Sequence, residues 1–309
     1  AGTIEAAQVE LHSFHGNPFG VAVRNDGRIH ASGAQLANGR VILRANGGIV
    51  HSGETIAREI ELDAGAGPNA RVEISGSIVA EGEGAVEIRG SEVEMMPGAL
   101  VEASGGEVRI GASIGGVLQR VELAESSQVN VGAAGGVAGL FEILGSEATE
   151  VRLHGSIDAG GETGGRIVVE AGDVFVTPLA TLTATGESLG GSVQVHSSGK
   201  TEVAGQIFAD ANAGTGGRIE LNALGDLLVL PSARLEATGF NEGGRVSVAS
   251  GGDLSFLGRA NVSSNGGTGG QIQLGGENVL VGVDALLAAD GKQQGGSVRV
   301  DATVDLDFL

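Results

Sequence analysis

A Gly-Gly pair that returns on a nearly fixed beat constrains this chain more than any other feature. The pairs begin at Gly164, Gly190, Gly216, Gly243, Gly269 and Gly295, so the spacings are 26, 26, 27, 26 and 26 residues. Self-similarity at such a period marks a repeat architecture, in which one supersecondary unit stacks on the next. Each pair is followed by one polar residue and then by Ile167, Val193, Ile219, Val246, Ile272 or Val298. Two positions later come Val169, Val195, Leu221, Val248, Leu274 and Val300, with polar residues between except at Val168. Alternation of this kind, rich in β-branched residues, predicts a strand with one wet face.

Two more strands follow in each repeat. A Gly and a charged residue open the second, as at Gly172-Asp173, Gly199-Lys200, Gly225-Asp226, Gly252-Asp253 and Gly276-Glu277. The third reads apolar-x-small at Leu182/Ala184, Ile207/Ala209, Leu235/Ala237, Val262/Ser264 and Leu287/Ala289. Three short strands with glycine-containing corners predict one coil of a parallel β-helix, and parallel crossovers favour the right hand. Helices need a sustained 3.6-residue period and few glycines, and neither is present. The corner glycines are expected to supply φ > 0 turns and to let coils approach closely.

The third-strand word also runs backwards through Ile157/Ala159, Val101/Ala103, Ile78/Ala80, Ile29/Ala31 and Ile4/Ala6, with weaker matches at Val129/Val131 and Ile56. The expectation is therefore an all-β, right-handed parallel β-helix of about 12 coils over residues 1–309, with no linker or second domain. Residues 1–150 form irregular coils with longer corners, and residues 151–309 regular coils of about 26 residues. At ~4.8 Å per coil the rod would be roughly 55 to 60 Å long. Residues 12–20 are expected to protrude as a loop, and Gly135 to Phe141 to mark a bulge or contact surface.

Composition narrows the function. Glycine is 57 of 309 residues without a triplet period, which excludes collagen, and 41% hydrophobic content excludes a disordered linker. With 3% aromatics and neither Trp nor Tyr, the chain is poor in platforms for stacking sugars or bases. A formal charge of -20 argues against nucleic acid and against anionic membranes. No cysteine is available for disulfides or thiolate metal sites. No run reaches a membrane span and no signal peptide opens the chain, so an exported form would be mature or excised material.

The words Ile29-x-Ala31, Asn38-Gly39-Arg40-Val41-Ile42-Leu43-Arg44-Ala45 and Gly47-Gly48-Ile49-Val50-His51-Ser52-Gly53 resemble filamentous-haemagglutinin-like exoproteins. So does Val151 to Gly161 followed by Gly164-Gly165-Arg166, and the resemblance covers most of the chain. It implies two-partner secretion, a right-handed parallel β-helix, and roles in adhesion, surface fibres or presentation of a distal domain. It further implies a secreted or surface location on a Gram-negative-type bacterium and an outer-membrane transporter as partner during export. The family's secretion module carries paired Asn-Pro-Asn motifs. Gly16-Asn17-Pro18-Phe19 does not match them, so no residue here is assigned to transporter recognition.

The charged residues that open the second strands give one candidate site. Asp173, Asp226, Asp253 and Glu277, with Lys200 among them, would form a column at strand starts. Like charges ~5 Å apart repel by about 1 kcal/mol in water. A cation, calcium by its preference for oxygen, or the nearby Arg166, Arg218 and Arg245 would relieve that repulsion; otherwise the acids splay into solvent. No other cofactor is expected, and no catalytic residues are assigned. A polysaccharide lyase or hydrolase needs paired carboxylates or acids with nearby cations, and Glu54, Glu59 and Glu61 read equally well as a solvated edge. The six histidines are dispersed and read as surface groups, Phe175, Phe208 and Phe256 as core, and Phe19 and Phe240 as exposed.

An uncovered β-helix end presents unpaired backbone groups. Ile4, Val304, Leu306 and Phe308 are the candidate stacking residues there. The sequence thus points to a non-catalytic structural or adhesive shaft that meets a host or neighbouring cell surface or a glycan. The alternative is a fibre or matrix subunit stacking head to tail on its own copies, since a heterologous contact does not close. A polysaccharide-acting enzyme comes third.

Overall fold

A computed structural model describes residues 2–13, 21–32 and 39–309, and among them every regular element is a strand. The chain winds as a right-handed parallel β-solenoid of about eleven turns. Three parallel ladders run its length. The first holds the strands that follow the Gly-Gly pairs, for example Arg166–Ala171, Ser192–Ser197 and Arg218–Ala223. The second carries Glu150–Leu153, Asp173–Val176 and Thr201–Val203, and the third Ser156–Asp158, Thr181–Thr183 and Gln206–Phe208. The candidate loop tip and Phe19 lie outside the described residues.

Stacking in register builds the core. Ile167, Val193, Ile219, Val246 and Ile272 superpose on the first ladder, and Val151, Val174, Thr201, Leu227 and Leu254 on the second, all buried. Each buried Val, Leu or Ile contributes about 1.5–3 kcal/mol, but only because a neighbouring coil covers it. Where the third strand turns back, the inward residue is small, Ala159, Ala184, Ala209 and Ala237, or a valine, Val131 and Val262, and all are buried.

The two roles expected of the corner glycines fall to different glycines. Positive φ occurs at Gly47, Gly65, Gly82, Gly98, Gly105, Gly115 and Gly135, and at no described glycine beyond Gly135. The pairs are needed for approach alone. A Cβ on Gly191 would collide with the Gly165 carbonyl of the coil below, and one on Gly190 with Gly217 N and Ala209 O of the coil above. One glycine clears each neighbour, which is why they come in twos. Gly217, Gly244, Gly270 and Gly296 repeat the contact.

Register also corrects several assignments. Thr55, not Ile56, points inward between Ile29 and Ile78, and Ala260, not Val262, stacks between Leu235 and Leu287. Phe256 and Phe141 are buried, the latter on the first ladder. Phe175 and Phe208 are instead half-buried on the outer face, where Arg152 lies 5.0 Å and Arg234 6.0 Å from their ring centroids. Phe240 is exposed.

One histidine is not a surface group. His51 is fully buried, stacked between Asn25 and Ile74. Its Nε2 lies 2.9 Å from Thr55 Oγ1, which also accepts from Asn25 Nδ2 at 3.3 Å, while Nδ1 has no side-chain hydrogen-bond partner among the described residues. Burial pushes its pKa down to about 4.

Candidate functional site

The corner between the third and first strands is where the rod departs from a smooth prism. From Val131 onward each corner is pinched at its base, because the glycine that ends the corner, the second of the pair from Gly165 on, donates its N–H to the last inward residue of the third strand. Gly139 donates to Val131, Gly165 to Ala159, Gly191 to Ala184, Gly217 to Ala209 and Gly244 to Ala237, at 2.6–2.8 Å. Beyond each neck the chain forms a loop, and the loops stack through a small parallel sheet, Ala133–Val137, Gly161–Thr163 and Gly186–Leu189. Isolated bridges such as Leu189 to Thr215 and Thr215 to Glu242 continue the stack. The result is a fin along one edge of the rod.

The fin has two flanks of different chemistry. Toward the third ladder lies a cavity of about 510 Å³ lined by Asn130, Asp158, Glu162 and Glu187. Asp158 and Asn130 there accept the N–H groups of Gly160 and Gly132 at 2.8 and 2.9 Å, so they tie the loop's first turn. Further along, Asp210 accepts from Thr238 N at 2.6 Å and Thr238 Oγ1 at 2.7 Å. Burial raises its pKa, against the pull of those two bonds.

Toward the first ladder the glycine pairs floor a groove parallel to the rod axis. It comprises two cavities of about 710 and 430 Å³ that share Gly216 and Gly217. From Glu107 to Ser297 it spans eight rungs of the first ladder, about 35 Å at ~4.8 Å per rung. Arg166, Ser192, Arg218, Arg245 and Gln271 form one wall; Val137, Leu189, Glu242, Thr268 and Gln294 stand on the other. The floor offers no spare donors between Gly164 and Gly270. The first glycines donate to the next coil's loop, as Gly190 to Thr215 O, and the second glycines to the neck.

The predicted acidic column takes a different form. Asp173, Lys200, Asp226 and Asp253 do share one register position, but the next rung is Asn278, and Glu277 falls at the register shift before it within the strand Gln271–Val281. The carboxylates hold backbone: Asp173 Oδ1 accepts from Lys200 N at 2.7 Å and Asp226 Oδ1 from Asp253 N at 3.0 Å. Asp253 accepts from Asn278 Nδ2 at 2.7 Å. Arg166, Arg218 and Arg245 line the groove instead of meeting this column. Among the described residues no three of His, Asp and Glu gather around a metal position. Pairs of carboxylates one rung apart do not fit calcium, which takes six to eight oxygens. Asp226→Ala is expected to cost about 1 kcal/mol, the worth of one hydrogen bond. EDTA is expected to leave the thermal midpoint of the parent chain unchanged, and a fall of several degrees would restore a cation to the column.

Glu61 is not a solvated edge. It is buried and held by Arg40 at 3.2 Å, Arg44 at 2.7 Å and Arg89 at 3.5 Å from coils on both sides, while Glu54 and Glu59 pair with Arg28 and Arg40. At the ends, Ile4, Leu306 and Phe308 occupy core-ladder positions and are exposed, Phe308 by 62%. Val304 lies at a register shift within the strand Ser297–Phe308 and has no paired rung, so it falls outside the stacked register.

These features define a parallel β-solenoid with a finned, grooved edge. No family model matches the chain, and no curated protein matches it.

Proposed function

We propose that this chain is an extracellular structural and adhesive β-helix, a shaft segment of a secreted filamentous-haemagglutinin-like surface protein delivered by two-partner secretion. The observation that carries the reading is continuity. Three ladders and one apolar column pass every change of corner length without a break, as a load-bearing spacer requires. The resemblance at residues 29–53 and 151–166 supports the family and, through it, the cell surface of a Gram-negative-type bacterium.

Within the groove the acids stand too far apart for glycoside hydrolysis. Glu107 and Glu242 stand about five rungs apart, ~24 Å, whereas glycosidic carboxylates stand roughly 5 to 9.5 Å apart. A second reading is a fibre or matrix subunit whose copies stack head to tail, favoured by parallel ladders that repeat the same pairing at every rung. Small-angle scattering and negative-stain microscopy of the full chain at rising concentration test both. Rods of about 55 Å at every concentration support the shaft, and lengthening at constant width supports the fibre. A compact particle, or release of reducing ends from polysaccharides, would remove the shaft reading.

A further inference from the structure

We propose that the glycine-floored groove binds a linear uronate polysaccharide lying parallel to the rod axis. The first observation is charge. Arginines elsewhere on the rod commonly face a carboxylate, as Arg28 does Glu54 and Arg152 does Glu150. Arg166 and Arg245 make no ion pair among the described residues; each donates instead to a neutral glutamine carbonyl one coil on, Gln194 and Gln271. In a chain of net charge -20, these two guanidinium groups on one groove wall pair with no carboxylate, although Glu107 and Glu242 also line the groove, and guanidinium pairs well with carboxylate.

The second observation is shape. The groove is open along its length, so it takes a chain and not a compact molecule. Between Gly164 and Gly270 its floor amides are engaged within the solenoid, so an extended peptide finds no strand edge to join there. Val137 and Leu189 give the fin wall an apolar stretch opposite Arg166. An occupant with apolar ring faces and carboxylates along its edge meets both walls, and a polyuronate has that form. Arg166 and Arg218 stand two rungs apart, ~9.6 Å, a separation matched to alternate residues of an extended glycan. Glu220 pairs with Arg218 at 2.6 Å and leaves it the weaker contact.

This goes beyond the shaft reading and does not rest on it. The test is calorimetric titration of the full chain with size-defined oligogalacturonate, with a neutral galactan of similar length and poly-glutamate as comparisons. Oligogalacturonate is expected to bind, more weakly as salt rises. The Arg166→Gln/Arg218→Gln/Arg245→Gln variant is expected to lose at least about tenfold in affinity. Ser192→Glu, which sets a carboxylate between Arg166 and Arg218, should do the same with its thermal midpoint unchanged. No binding by the parent chain, binding that survives both variants, or equal binding of the galactan or poly-glutamate would each overturn the proposal. Scattering on the same samples reports the rod separately.

Discussion

Replacing Gly217 by alanine is expected to destabilise the solenoid by at least ~3 kcal/mol and to split its unfolding into two transitions. The new methyl group would fall inside contact distance of the Gly191 carbonyl and of the Gly190 backbone. Both obstacles are main chain in a hydrogen-bonded ladder, so no side chain can swing aside. The coils must part locally, and in a stack held by nearest-neighbour contacts a parted interface uncouples what lies on either side. Gly295→Ala is the matched control. It alters the same kind of pair, yet nothing lies within 4 Å of its Cβ position. It should be neutral or stabilising by about 0.4–1 kcal/mol, through the unfolded chain. Urea titration followed by circular dichroism, with hydrogen exchange to locate the break, reads both. A Gly217→Ala chain within about 0.5 kcal/mol of the parent would remove the close-approach account of the pairs.

The second large effect is acid loss at the opposite end. His51 is neutral in the folded core, with a pKa of about 4, whereas its unfolded value is 6.5. Above pH 6.5 neither state binds the proton and the core has its full stability. As pH falls toward 4 only the unfolded chain takes it up, so stability drops, by about 3 kcal/mol over the window at 1.36 kcal/mol per unit. The loss should centre on the coils that carry Val21–Asn25, Gly48–His51 and Glu54–Asp63. His51→Gln cannot titrate, so its stability curve should run flatter than the parent's between pH 6.5 and 4. Parallel curves for the two chains would mean that His51 is not the group responsible. Differencing against this variant is needed because 38 acidic residues also titrate near the bottom of the range.

How much of this was legible follows from what each signal depends on. Ile167 and Val169 and their equivalents are local: alternation within one strand is enough to point them inward, and the structure agrees. Thr55 defies the apolar rule because its hydroxyl meets His51 of its own coil and Asn25 of the coil before inside the column, and the second contact is made across coils. Glu277 sits one residue early, since the strand shifts register after Gly276, and such a shift carries no periodicity. Phe175 read as core because phenylalanine is apolar; in the register it faces Arg152, which only stacking reveals.

The groove was hidden for the same reason. Arg166, Arg218 and Arg245 were visible, but the residue after each glycine pair has to be read down the coils, Arg, Ser, Arg, Arg, Gln, Ser, before a wall emerges. That column was the available signal. The neck is not legible at all, because a single hydrogen bond from Gly217 N–H to the Ala209 carbonyl decides that the corner stands out from the rod.

The direction of the ladders has a mechanical consequence. The inter-coil hydrogen bonds lie along the axis, while the covalent chain circles it. Tension between the ends therefore pulls on bonds lengthwise, and a coil that yields can be peeled away without shearing the rest. Each 26-residue coil released would pay out about 90 Å of slack chain, against the ~4.8 Å it occupied in the stack. Such a rod is stiff until one interface fails and then extends in equal steps, a ratcheted tether that absorbs a jolt one turn at a time.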